Sequence, residues 1–142
     1  MSNLTGFRDP YAFLSPVLSS LLATTATTSA TGEYFLTISS GVRSTAVDPS
    51  SGPRLLLYRQ TKSNDVRHWT YLGPLLSVLG MSSFSEWSGN FGINFETACV
   101  ARLDEQGDAT HDVNGGSAVD FIGIGTEEGR NGSHENHWPL CE

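Results

Sequence analysis

Apolar residues in this chain recur at a spacing of two or in short unbroken runs, and turn residues separate the runs. That pattern predicts strands. Tyr34-Phe35-Leu36-Thr37-Ile38-Ser39-Ser40 is aromatic and β-branched, and Gly41 closes it. Arg54-Leu55-Leu56-Leu57-Tyr58-Arg59 follows the turn cluster Asp48-Pro49-Ser50-Ser51-Gly52-Pro53, so the two runs read as strand, loop and strand, a hairpin. His68-Trp69-Thr70-Tyr71-Leu72 alternates and is expected to end at Gly73-Pro74. Phe95–Leu103 is a further strand, followed by the turn Asp104-Glu105-Gln106-Gly107-Asp108, and Ala118–Gly125 is another, after Asn114-Gly115-Gly116. Helical periodicity is confined to Ser15–Leu22, where Ser15 can cap and Pro16 can take the first helical position. The Thr/Ala/Ser run Ala23–Thr31 reads as a surface loop. The pattern therefore predicts an all-β chain, as a propeller, a sandwich or a jelly roll.

Composition sharpens this in one respect. Charged residues make up only 16 % of the chain against 38 % apolar, which suits short strands joined by many turns better than a helical bundle. The net charge of −7 argues against a phosphate-seeking surface, so nucleic acid is not an expected partner. The apolar run Val17–Ala23 is too short to span a bilayer, and no basic segment precedes it, so neither a membrane span nor a signal peptide is expected. The sequons Asn3-Leu4-Thr5 and Asn131-Gly132-Ser133 lean toward a secretory origin. Cys99 and Cys141 match no metal-ligand spacing; free thiols, no metal and no cofactor are expected.

A series of short segments carries candidate chemistry. Gly6-Phe7-Arg8-Asp9-Pro10 contains an Asp-Pro pair, which alone is a common turn starter. After it come Gly52-Pro53-Arg54-Leu55-Leu56-Leu57-Tyr58, then Trp69-Thr70-Tyr71-Leu72-Gly73-Pro74-Leu75, then Glu86-Trp87-Ser88-Gly89-Asn90-Phe91-Gly92-Ile93-Asn94-Phe95-Glu96. Gly125-Thr126-Glu127 and His137-Trp138-Pro139-Leu140 close the series. In this order the segments resemble an internal piece of the fungal-type enzymes of glycoside hydrolase family 32, which cleave sucrose and fructans. The resemblance runs along nearly all of residues 1–142, and the order of the matches is its most specific feature. Arg8-Asp9-Pro10 resembles the family's R-D-P motif. The stretch ending at Glu96 resembles the one that ends in the acid/base glutamate, although the common family form has E-C where this chain has Glu96-Thr97-Ala98.

The resemblance implies a partial five-bladed β-propeller. A blade takes roughly 40–50 residues, so about two to three blades are expected. It implies a sucrose- or fructan-type carbohydrate as ligand and hydrolysis with retention. That chemistry uses two carboxyl groups about 5–5.5 Å apart, one attacking the anomeric carbon and one serving as acid and then base. Glu96 takes the acid/base role. Asp9 holds sugar hydroxyls and stabilises the transition state, and Arg8 assists it. Trp87 and Trp138 are candidates to stack on a sugar face, or else core residues. Asp9 and Glu96 are accordingly expected to lie close together. Strict alternation puts Ile93, Phe95 and Thr97 on one face of their strand and Asn94, Glu96 and Ala98 on the other.

One part of the family pattern is missing. The nucleophile belongs to a W-M-N-D-P-N-G-like segment, and no such segment occurs here; Asp48-Pro49-Ser50 is its nearest echo, in the wrong order. The parent family is often secreted. The chain starts almost at Arg8-Asp9-Pro10 and stops just after Leu140, which reads as a piece of a longer enzyme. Three readings follow: a fragment of a β-fructofuranosidase-type hydrolase, a non-catalytic carbohydrate-binding remnant, and a small β-sandwich interaction domain. If a nucleophile is hidden in the chain, Asp48 and Asp120 are the first aspartates to test.

Overall fold

The computed structural model describes residues 3–22, 33–43, 51–63, 65–78, 91–110 and 118–127, with the backbone of 135–137 and 140–141. The first sheet is built from β1 (Leu4–Ser15), β2 (Glu33–Val42), β3 (Gly52–Gln60) and β4 (Trp69–Ser77), with the helix α1 (Pro16–Leu21) after β1. Each strand pairs antiparallel with the next, in the order β1-β2-β3-β4. The second sheet holds β5 (Asn94–Leu103), β6 (Val119–Glu127), β7 (Glu135–His137) and β8 (Leu140–Cys141). In it β5 and β6 are antiparallel neighbours, and β7 and β8 lie beside β6 at Ile124–Thr126 and Asp120–Phe121. The chain is thus all-β and antiparallel, and its two sheets do not close on one another. They stand as two blades of an open propeller do.

Four of the five expected strands form within a few residues of the predicted bounds. Helix α1 starts where the sequence signals put it. Ser15 is the N-cap, its Oγ accepts the Leu18 N–H at 3.1 Å, and Pro16 fills the first turn, where its missing N–H is no loss. Ser19 in turn donates to the Ser15 carbonyl at 2.7 Å and accepts the Glu33 N–H at 2.8 Å, so the cap also fixes the start of β2. Two expectations are corrected. β1 passes straight through Asp9-Pro10, which had read as a turn, and the chain absorbs the pair as a bulge between Arg8 and Tyr11. β4 does not end at Gly73-Pro74 but runs on to Ser77. Among the described residues β4 is the outer strand of its sheet, where a proline need not break a ladder. Register shifts flank the pair, and Gly73 takes a φ of 125° that only glycine adopts freely.

The core lies between the sheets. Phe13, Phe35, Leu55 and Leu57 come from the first and Phe95, Ala98, Val100, Ile122 and Ile124 from the second. Phe35, Leu55 and Phe95 are fully buried. Burial of each such side chain contributes about 1.5–3 kcal/mol, which makes this layer the main attraction between the sheets. On the other side of the first sheet Ile38 and Leu56 are buried while Leu14, Tyr34 and Tyr71 are exposed, and Tyr71 packs on Tyr58 with ring centroids 5.1 Å apart.

The sheets approach tightly at Gly41. A Cβ there would overlap the Ile93 carbonyl oxygen and stand within 2.5 Å of Asn94 Oδ1 and 2.6 Å of Thr5 Oγ1. Backbone cannot step aside as a flexible side chain can, so the seam has no room for a methyl group. Gly41→Ala is expected to cost about 3 kcal/mol of stability. Urea denaturation checks this; a loss below about 1 kcal/mol would mean that the sheets separate easily here.

Candidate functional site

β1 and β5 face each other across the seam, and each is interrupted where they meet. The β1–β2 register slips between Arg8 and Tyr11, and the β5–β6 register slips between Glu96 and Cys99. Inside the two bulges Asp9 has a φ of 51° and Thr97 a φ of 46°. Both are left-handed conformations, uncommon without glycine and most unfavourable for a β-branched residue such as threonine. Such backbone costs about 1–3 kcal/mol per residue and persists only where surrounding structure enforces it. Here the two strained residues meet: the Thr97 N–H donates to Asp9 Oδ2 at 2.9 Å. The bulge withdraws that N–H from the ladder, and the other bulge supplies its acceptor.

The β5 bulge also changes the parity of its strand. Phe95 and Ala98 are both in the core, although they are three residues apart. The expected placement of Ala98 on the same side as Glu96 is therefore wrong: the extra residue at Thr97 turns Ala98 inward and leaves Glu96 outside the apolar layer. Phe91 packs edge-on against Phe95, with centroids 6.4 Å apart, just before the site.

Arg8 reaches the outlying carboxylates from β1. Its Nη1 donates to Glu96 Oε1 at 2.7 Å and its Nη2 to Glu127 Oε2 at 2.5 Å. Glu127 Oε2 also accepts from Asn94 Nδ2 at 2.8 Å, and Asn94 Oδ1 accepts the Thr5 hydroxyl at 2.5 Å. Strand pairing explains the grouping. Asn94 stands opposite Glu127 and Glu96 opposite Gly125, so Asn94, Glu96 and Glu127 share one face of the hairpin. The charged groups are partly covered: Arg8 is 35 % exposed, Glu96 22 % and Glu127 25 %. Water can reach all three, yet each is ordered by a charge-assisted contact.

The sequence-predicted residues divide into two groups. Arg8, Asp9 and Glu96 come together, although Arg8 and Glu96 are 88 positions apart. Trp87, Trp138 and Asp48 lie outside the residues whose side chains are described. Glu127 and Asn94 were not expected at the site. Pairing Asn94-Phe95-Glu96 antiparallel with Gly125-Thr126-Glu127 is the signal that points to them, since that register carries Glu127 to the side of Asn94. Asp120 stands apart. It accepts from Arg102 Nη1 at 3.0 Å and from Ser15 Oγ at 3.2 Å. Arg102 lies six residues beyond Glu96 on β5, about 18 Å along the strand, so Asp120 is too far to act with Glu96. Cys99, just past the bulge, is a free thiol.

Chemically, the cluster offers carboxylates that accept hydroxyl hydrogens and a guanidinium that donates. Among the described residues Asp9 Oδ1 has no hydrogen-bond partner, while Oδ2 is anchored. No group of three His, Cys, Asp or Glu among the described residues is arranged to hold a metal. Two clefts lie elsewhere. One of about 320 Å³ is walled by Phe13, Leu18, Leu75, Val100 and Ile122; one of about 420 Å³ is walled by Tyr11, Leu14, Tyr34 and Arg102. Both are beside the core layer and exclude Asp9 and Glu96.

The fold recurs in a solved protein. The crystal structure of A. japonicus CB05 matches this chain with a TM-score of 0.74 at 27 % identity, over 99 % of this chain and 25 % of that one. The chain spans about a quarter of the length of that protein. No family model and no curated protein matches it.

The strained bulge yields a test. Thr97→Gly keeps the N–H that Asp9 accepts and removes the steric cost of the left-handed conformation. Thermal unfolding should show it about 1 kcal/mol more stable than wild type. A clear loss of stability would mean that the threonine side chain, and not the amide, holds the bulge.

Proposed function

We propose that this chain forms part of a carbohydrate site of the family 32 glycoside hydrolase type, acting on β-fructofuranosidic bonds in sucrose or fructans. The observation that carries the reading is that Arg8, Asp9 and Glu96, distant in sequence and singled out by motif, share one hydrogen-bonded cluster at the seam. In this reading Asp9 holds sugar hydroxyls through Oδ1, and such bonds strengthen as charge develops on the ring. Glu96 protonates the leaving oxygen and later activates water. Arg8 holds Glu96 in place and donates to the sugar. Trp87 and Trp138 remain candidates for stacking on a sugar face.

A second reading, carbohydrate binding without catalysis, is favoured by one specific observation. Retention needs a nucleophilic carboxylate opposite the acid, and the sequence holds no W-M-N-D-P-N-G-like segment to supply it. Asp120, the described alternative, is committed to Arg102 and Ser15.

Two measurements test these readings together. Fructose or inulin added to the 142-residue chain should shift the NMR signals of residues 8–9 and 96–97, and Asp9→Asn should weaken that binding roughly tenfold. Glucose polymers should leave the signals unchanged. Absence of any fructoside response from the folded chain would sink the proposal. In an assay for fructose release from sucrose the chain should show no useful rate, since losing one member of a catalytic unit costs several orders of magnitude. Release that disappears in Glu96→Gln would instead reveal a nucleophile within the chain.

A further inference from the structure

Arginine carries its guanidinium on a long stem with several free torsions, and one contact leaves the plane free to turn. In this site the fork is held at two nitrogens by two strands: Nη1 by Glu96 on β5 and Nη2 by Glu127 on β6. Glu127 is itself fixed, because Asn94 donates to the same oxygen that Arg8 uses. Asn94 is fixed in turn by the hydroxyl of Thr5, which lies on β1 three residues before Arg8. The contacts therefore close a ring, from β1 through Arg8, Glu127, Asn94 and Thr5 back to β1. Gly6 sits inside it. A Cβ at Gly6 would stand 3.2 Å from both Arg8 Nη2 and Asn94 Oδ1, so the ring occupies the space that a side chain there would need.

We infer that Glu127, held by Asn94 and Thr5, is a positioning residue that orients the guanidinium of Arg8 toward Glu96. This rests on the reading of Arg8, Asp9 and Glu96 as a sugar site. Glu96 is the group that reacts, and its partner has to arrive at a fixed angle. A solvent-accessible ion pair with one contact would swing; a fork held at two nitrogens does not. Glu127 acts through Arg8, in the way that an outer partner aims an inner ligand. Asn94 is 3 % exposed and so is placed to transmit position without touching a ligand.

The experiment uses the 142-residue chain and two readouts. The first is the side-chain NMR signature of Arg8, where hindered rotation and slow exchange of the guanidinium hydrogens report the clamp with no ligand present. The second is the affinity for fructose. In wild type the Arg8 signals should be resolved and slow to exchange. Glu127→Gln removes the charge but keeps the shape; it should average those signals and weaken fructose binding roughly tenfold. Thr5→Val breaks the ring at its far end and should act in the same direction, by roughly threefold. This second variant separates aiming from touching: if Glu127 contacted the sugar directly, Thr5→Val would leave affinity unchanged. It also carries the test alone if Glu127→Gln fails to fold. Arg8 signals identical in wild type and Thr5→Val, or in wild type and Glu127→Gln, overturn the inference. If wild type shows a rigid Arg8 yet binds no fructose, the sugar reading fails and the clamp stands.

Discussion

A single hydrogen bond ties the strained parts of this structure together: the Thr97 N–H donating to Asp9 Oδ2 across the seam between the two sheets. Each partner sits in a bulge, and each holds a left-handed backbone that an isolated strand would relax. Neither bulge is stable for its own sake. The apolar layer of Phe13, Phe35, Phe95 and Val100 presses the sheets together, and Gly41 lets the backbones approach at the end where Thr5 and Asn94 meet. Between those two fixtures, β1 and β5 have to pass each other at short range. The Asp9–Thr97 bond satisfies a backbone donor, the Thr97 N–H, at the point where both ladders slip.

That dependence explains what the sequence disclosed and what it concealed. β2, β3, β5 and β6 were legible because their side chains alternate or run apolar between clear turn signals, and packing on one face enforces the same period. The α1 cap was legible because Ser15-Pro16 acts locally. β1 was hidden by Asp9-Pro10. A proline after an aspartate reads as a turn, and only pairing with β2 on one side and the seam on the other makes it a bulge inside a strand. The placement of Ala98 failed for the related reason that alternation has no means of announcing an extra residue. The site residues found by motif were those whose chemistry is specific. Glu127 escaped because its role comes from strand register, and Asn94 because a buried amide carries no signature of its own.

Electrostatics narrow what the cluster can serve. Glu96 and Glu127 bring two carboxylates to one guanidinium, Asp9 adds a third carboxylate at the adjoining Thr97, and all stand on a chain of net charge −7. An anionic ligand would meet an unfavourable field there. A neutral ligand rich in hydroxyl groups would not: it supplies the donors that carboxylates accept and the acceptors that a guanidinium seeks. The partial exposure of the charged groups fits the same class, since hydroxyls can replace water at each contact without stranding a charge.

The contrast between Arg8 and Arg102 completes the argument. Both extend to carboxylates on β6, Arg8 to Glu127 and Arg102 to Asp120. Arg102 lies on the regular part of the β5–β6 ladder directly opposite Asp120, and its Asp120 partner also accepts from Ser15 at the helix cap. It is 16 % exposed, and its surroundings are unstrained ladder and helix cap. Such a pair needs nothing beyond cross-strand geometry to exist. Arg8 crosses from the other sheet, next to two residues in costly backbone conformations, and is more than twice as open to solvent. The close passage of β1 and β5 accounts for the strain, and it leaves Arg8 at an open edge of the seam where Arg102 is covered. Strain beside accessible charged groups is also what the proposed sugar site would need.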